Sequence, residues 1–361
     1  MRNRLHNNSM SVSNRLRIDS QFTMDDLAAE LGLSKSTVSR ALSGSGRIGA
    51  ETRERVKACA EKHGFRPNLV AKALAGQKTM NIAAVLPLES ASSQMMFYHE
   101  CLSGMVVRAS EDAYSILVTM AQADDTSALE ELIRNRKADA VILTQLKHDD
   151  KNVALLREAD MPFVVIGSGA GDDVAQVDSK MQESCAAFAL KCASGLHDGD
   201  KVLFVCGSLD VEANNKRLSG FLSAMESAGI ESLRYAVCTE LADLQQDANL
   251  KQWRLMLCSD DVVCLALLEM LRREGIAVGS DVLVASFHDS VLLEQSVPAV
   301  SALRVDARTL GSTAAETALK MLSGAEFAQA SYVDCSFQLR ASTGSVDSSV
   351  TANDNDSRRL A

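Results

Sequence analysis

The sequence predicts a small all-α head followed by an α/β body of two doubly wound parallel-sheet lobes. Three short helical patterns punctuated by glycine follow one another between Thr23 and Gly64. From about Met80 onward, near-continuous apolar runs of strand length alternate with amphipathic stretches, as in parallel sheets covered by helices on both faces. Charge divides at the same place: residues 1–80 hold 14 Lys and Arg against 7 Asp and Glu, and the remainder holds 23 against 40, in a chain of 361 residues with net charge −10. A basic head on an acidic body predicts that only the head meets a polyanion. A basic tail does not account for the asymmetry, because residues 1–20 supply only four of those 14 cations.

Residues 1–21 read as a disordered basic leader; they lack the apolar segment of a secretory signal. The head is expected over residues 22–67. Its first helix lies in TMDDLAAELG, where Thr23 is placed to cap, Asp25 and Asp26 suit the positive end of the helix dipole, and Leu27, Ala28 and Leu31 share a face. Gly32 supplies the left-handed residue that ends it. The second helix follows Ser34 as cap, and the third runs roughly from Glu51 to His63, with Val56 and Ala60 on one face. A hinge and linker occupy residues 68–79, the body residues 80–344, and a polar, disordered tail residues 345–361.

In the body the strand-like runs are NIAAVLP (81–87), YSILVTM (114–120), ADAVILT (138–144), PFVVIG (162–167), KVLFVCG (201–207), WRLMLCS (253–259) and DVLVASF (281–287). With shorter strands these fit two consecutive doubly wound lobes. No apolar run reaches the length of a membrane span. The nine cysteines are scattered without a C-x-x-C pair, which points to reduced core thiols of a cytoplasmic protein rather than to disulfides or zinc.

Two helices joined by a tight glycine-containing turn describe a helix-turn-helix. In LGLSKSTVSRALSG the small or apolar Thr37, Val38, Ala41 and Leu42 share one face, and Lys35, Ser36, Ser39 and Arg40 the other. A recognition helix presents such short hydrogen-bonding side chains, at its N-terminal end, to the major groove. Lys and Arg there donate to guanine, Ser reads either kind of base pair, and the hydroxyls of Ser34, Thr37 and Ser39 suit phosphates. The same pattern also describes an ordinary pair of helices with a solvated face.

The order of motifs separates these readings. "S-x-x-T-V-S-R-x-L" (Ser34 to Leu42), "T-R-E-R-V" (Thr52 to Val56), "G-[FY]-x-P-N" (Gly64 to Asn68) and "A-x-x-L-x-[GST]" (Ala71 to Gly76) together resemble the LacI/GalR family of bacterial transcription repressors. The resemblance implies a DNA-binding head and an effector domain like the periplasmic binding proteins. It assigns base reading to Lys35, Ser36 and Arg40, and phosphate contacts to Ser34, Thr37, Ser39, Arg47, Thr52 and Asn68. It makes LVAKALAG a hinge helix that pairs across a dimer, with Ala71 and Leu74 in the minor groove and Leu74 as the wedge. Eight residues are too few for a stable isolated helix, so the hinge is expected to order only between DNA and a partner. Ser43 and Gly49 stand where the family has Asn and Ser or Thr, which removes a phosphate contact or two.

In doubly wound folds ligands bind at the carboxyl ends of the strands. There the candidates are Glu89, Arg217, Asp260 and His288. Arg217, in N-K-R-L-S-G-F, matches the arginine with which the family holds a sugar hydroxyl or carboxylate; a surface helix arginine is the alternative. Asp260 matches the acid of an Asn-Asp pair whose Asn is Ser259 here. His288 stands where an aspartate is usual and Gly167 where another often lies, so Glu89 and His288 either face a different ligand or His288 is a satisfied core residue. The implied partners are a palindromic double-stranded operator, a second copy of the chain and a carbohydrate-like small molecule, with no cofactor, metal or membrane. A solute-binding protein of periplasmic type and a sugar-metabolising enzyme are the alternatives. The enzyme reading is weak: GSGAG is not a dinucleotide fingerprint, SFHDS is a cluster in sequence only, and no metal-ligand spacing is present.

Overall fold

The computed structural model of the chain describes residues 22–43, 47–65, 78–88, 95–122, 124–228, 233–237 and 250–344. It divides into two units, Met1–Gln77 and Lys78–Ala361. The leader, the hinge with Asn68, Ala71 and Leu74, the tail, and Glu89 lie outside the described residues.

The first unit holds α1 (Met24–Leu31), α2 (Lys35–Ser43) and α3 (Ala50–Lys62). Thr23 and Asp26 form a reciprocal capping box at the start of α1, and Gly32 closes it at φ 65°. Ser34 Oγ accepts the Thr37 amide at 3.1 Å, capping α2. Gly49 at the start of α3 provides no side-chain cap. Leu27, Ala28, Val38, Ala41, Val56, Cys59 and Ala60 form the core, flanked by the half-buried Phe22, Leu31, Leu42 and Phe65. Val38 and Ala41, three residues apart, anchor α2 on this core, which leaves its opposite face in solvent.

The second unit opens with β1 (Asn81–Pro87), α4 (Met95–Glu111), β2 (Ser115–Ala121), α5 (Ser127–Arg134), β3 (Ala140–Leu143), α6 (Lys151–Glu158), β4 (Phe163–Ile166) and β5 (Ala175–Asp178). It continues with α7 (Met181–Ala193), β6 (Val202–Cys206), α8 (Glu212–Ala228), β7 (Leu233–Val237), β8 (Leu255–Cys258), α9 (Asp261–Arg273), β9 (Leu283–Ser286), α10 (Val291–Gln295) and β10 (Ser301–Val305). Last come α11 (Ala307–Ser323), β11 (Ala330–Tyr332) and β12 (Cys335–Gln338). Among the described residues these strands build two six-stranded sheets, ordered β11-β5-β4-β3-β1-β2 and β12-β10-β9-β8-β6-β7. The pairs are parallel except β10 with β12. The strands predicted from apolar runs are all present; β1, β3, β4, β6, β8 and β9 have fully buried centres because helices cover both faces.

The two lobes are not consecutive, contrary to the sequence expectation. After β10 the chain returns to the first lobe, where α11 packs on β3, β4 and β5 through Leu310, Ala314 and Ala318, and β11 pairs with β5. It then crosses back for β12. Local periodicity records that a segment has an apolar face, not which sheet it covers, so the interleaving is invisible to it. Three short crossovers (after β5, β10 and β11) thus join the lobes, and Val333 N donates to Asp178 O at 2.9 Å to tie the first to the third. Glycines allow the helices of each lobe to cross closely. A Cβ on Gly104 of α4 would overlap the Arg308 carbonyl of α11, and one on Gly220 of α8 the Gln182 carbonyl of α7.

Candidate nucleic-acid interface and ligand cavity

In the first unit Lys35, Ser36, Ser39 and Arg40 are exposed along α2, opposite buried Val38 and Ala41. Thr37 is half-buried, and its hydroxyl lies 2.8 Å from that of Ser34, which also lies 2.9 Å from Ser36 Oγ. The hydroxyls at the N-terminal end of α2 therefore form one linked group whose remaining O–H donor can serve an anion. Lys35 Nζ rests 2.6 Å from Asp25 of α1, an exposed pair worth little to folding and readily exchanged for another anion. Arg47 is exposed just before α3, and Thr52 is half-buried in its first turn. The bare cap at Gly49 confirms that no hydroxyl is available at that position.

In the second unit the strand orders place a topological switch between β1 and β3 and another between β6 and β8. A cavity of about 510 Å³ opens at these switch points. Its walls include Leu88 after β1, Thr144 to Lys147 after β3, Gly207 and Ser208 after β6, and Asp260 after β8, as expected for crevices at strand carboxyl ends. Arg217, Asp260 and His288 all line it, so three residues well separated in sequence converge on one space. Gly167 and Ser168 line it as well.

Arg217 is a cavity residue, not a surface one. On α8, its Nη1 donates to Asn214 Oδ1 at 2.9 Å, and Asn214 is fixed in turn on Ser208 O at 2.9 Å. Its buried Nε has no hydrogen-bond partner among the described residues. Asp260 caps α9, with Oδ1 accepting the Val263 amide at 3.0 Å and Oδ2 accepting from Ser259 Oγ at 3.1 Å. Ser259 in place of the family's Asn is fully buried and serves this cap. His288 Nδ1 lies 3.3 Å from Asp261 Oδ1, and its ring meets Phe97 of the other lobe edge-on at 5.5 Å. Burial pushes Asp261 upward, but the hydrogen bond and charge of His288 outweigh it and hold the carboxyl below its usual range.

Sequence reasoning missed Asp261, Phe97 and Asn152. Asn152, buried at the start of α6, donates to Gln122 O at 3.0 Å and leaves Oδ1 without a partner among the described residues. The strand-end rule would have reached Asp261 and Asn152 if extended into the first turn of the following helix. Phe97 carries no such signal. The lobes also meet through backbone: Lys147 and Val211 form an antiparallel bridge, His148 N donates to Asp210 O at 2.9 Å, and Glu212 N to Leu146 O at 3.0 Å. SFHDS does not assemble a triad, since Ser286 Oγ donates to the His288 carbonyl and Asp289 pairs with Arg340 at 2.6 Å. No described helix is long and apolar enough to cross a membrane.

The comparisons with known proteins agree with both units. A model of bacterial regulatory proteins of the lacI family matches residues 23–68. A model of periplasmic binding proteins and the sugar binding domain of the LacI family matches residues 79–266, and a periplasmic binding protein-like domain matches residues 200–343. The HTH-type transcriptional regulator MalR of Staphylococcus xylosus is 26% identical over 313 residues, 84% of this chain and 92% of that protein. Among solved structures, a complex of the transcriptional regulator CelR with cellobiose shares the fold at a TM-score of 0.65 and 23% identity, covering 89% of this chain and 99% of that one. A lac repressor dimer bound to operator and the anti-inducer ONPF shares it at a TM-score of 0.69 and 20% identity, covering 90% and 99%. With a helix-turn-helix of the matching sequence and a two-lobed sugar-binding-type body, the chain belongs to the LacI family of bacterial regulatory proteins and is a DNA-binding transcriptional regulator.

Proposed function

We propose that the protein is a cytoplasmic repressor that binds a palindromic operator as a homodimer and changes its hold on DNA when a small carbohydrate-like effector occupies the cavity between the lobes. It does this by binding alone, with no catalytic step. The observation that carries the reading is the convergence of Arg217, Asp260 and His288 on one cavity, in a chain whose other unit exposes Lys35, Ser36 and Arg40 on a helix-turn-helix. Support comes from the lac repressor dimer on its operator and from CelR with cellobiose.

In the head, Lys35, Ser36 and Arg40 read bases, and Ser34, Thr37, Ser39, Arg47, Thr52 and Asn68 hold phosphates. Ala71 and Leu74 enter the minor groove, Leu74 as a wedge. These roles go with a head over residues 22–67, a hinge and linker over 68–79 and a body over 80–344. In the cavity, the Arg217 guanidinium donates to an effector oxygen, the Asn152 side chain lines the same wall, and His288, braced by Asp261, presents its other ring nitrogen. Glu89 is placed by sequence alone, just past β1. The ionisable lining disfavours an anionic effector: Asp150, Asp178, Asp210, Glu212, Asp260 and Asp261 outnumber Lys147, Lys216 and Arg217.

The test screens neutral mono- and disaccharides against the full chain by thermal shift, where a ligand of the native state raises the transition by mass action. Hits are then added to an operator-binding assay. A sugar that stabilises the chain and changes DNA affinity supports the reading. Ligands that stabilise the chain without any change in DNA affinity contradict the coupling.

A further inference from the structure

Outside both sites, three potential metal donors converge on one edge of the head. Cys59 on α3 and His63 at its C-cap are four residues apart, and the His63 amide bonds the Cys59 carbonyl, so they lie on one face, one turn apart. Glu30 reaches them from α1. One ligand atom from each of the three lies within 4.8 Å of the others. Spacing along the chain hides the group, since Glu30 is on a different helix from the pair and a single Cys-x-x-x-His carries no familiar signature.

We propose that Glu30, Cys59 and His63 form a binding site for a zinc-like transition-metal ion in the DNA-binding head. A thiolate, an imidazole and a carboxylate are the donor types that zinc takes, and three protein ligands with a water complete its tetrahedral shell. The two oxygens of Glu30 are already divided: Lys62 Nζ holds Oε1 at 3.0 Å, while Oε2 faces His63 Nε2 at 2.8 Å. The metal takes the place of the proton between Oε2 and Nε2, the imidazole keeping a proton on Nδ1, and the displaced proton and that of the Cys59 thiol pass to solvent as sulfur completes the set. Phe22 stacks on the His63 ring at 4.0 Å and 3°, fixing the plane in which the imidazole offers its nitrogen. Cys59 belongs to the head core, so its sulfur is held in place and away from bulk water. Bound metal would fasten α1 to α3 directly.

The test is Co²⁺ titration of the reduced full-length protein, followed by absorbance. One equivalent is expected to give a thiolate-to-cobalt charge-transfer band that Zn²⁺ abolishes. Cys59→Ala, a residue that suits a helix interior, should lose the band while retaining native circular dichroism. Glu30→Gln leaves the sulfur in place and should keep the band but weaken binding by at least the ~10-fold seen when metal-site partners are removed. No band in the wild type, a band that survives in Cys59→Ala, or unchanged affinity in Glu30→Gln overturns the assignment. Should Cys59→Ala lose its native spectrum, the Glu30→Gln affinity decides alone.

Discussion

Asp261 and His288 meet on the cavity wall, with the carboxylate fully buried and its Oδ1 3.3 Å from the imidazole Nδ1. The charge of a buried carboxylate is costly unless paired, and this pairing holds Asp261 below the usual carboxylate range despite its burial. A carboxyl depressed in the folded state contributes stability that is complete above its unfolded value and is lost as pH falls through its folded value. Asp261→Asn should therefore cost about 1–3 kcal/mol at neutral pH. Urea titrations should show the difference shrinking as the pH falls below the ordinary carboxylate range. A difference independent of pH would mean that the pair is not ionic.

The exposed face of α2 makes its own prediction. Arg40→Ala should cost ~1–3 kcal/mol at the cognate site and relax discrimination at one base pair, as read by competition among single-base variants. Asp25→Asn should act in the opposite direction, because it releases Lys35 from a 2.6 Å ion pair and removes a negative charge. Its DNA affinity should rise most at low salt, measured by fluorescence anisotropy across a salt series.

The glycine contacts beneath α4 and α11 are steric. A Cβ at Gly104 would overlap the Arg308 carbonyl and stand 2.9 Å from the Ser312 nitrogen, and one at Gly311 would overlap the Cys101 carbonyl. Backbone cannot swing aside as a side-chain tip does. Gly104→Ala and Gly311→Ala should each destabilise the body by about 1–3 kcal/mol or more, in spite of the better helix propensity of Ala. Chemical denaturation of the two variants checks it; neutral substitutions would show that the helices are free to separate.

The excess of acids around the cavity separates ligand classes. For any neutral sugar that binds, its phosphorylated or carboxylated counterpart should bind more weakly, because Asp178, Asp210 and Asp260 face a further negative charge. Arg217→Ala should weaken the neutral sugar without altering DNA affinity in its absence. Isothermal titration of matched pairs measures both, and preference for the anionic partner would contradict the charge argument.

Much of this architecture was legible in sequence where local chemistry decides it. Thr23, Asp26 and Gly32 specify the ends of α1 by hydrogen bonds within four residues. The apolar runs marked strands because both sheet faces are buried. Long-range choices were not legible. Nothing in Leu310, Ala314 or Ala318 says that α11 belongs with β4 rather than β10, and Asp289 gave no sign of its partner Arg340, 51 residues away. The cavity was half legible: Arg217, Asp260 and His288 follow from strand ends and motif, whereas Phe97 appears only when the lobes face each other.

The central claim is that α2 reads a two-fold symmetric DNA site. Selection of random duplexes on the full-length protein, followed by sequencing, tests it most directly. The account predicts an enriched inverted repeat whose half-sites are degraded by Arg40→Ala. Enrichment of no sequence, or of a single unrepeated half-site unaffected by Arg40→Ala, would contradict it.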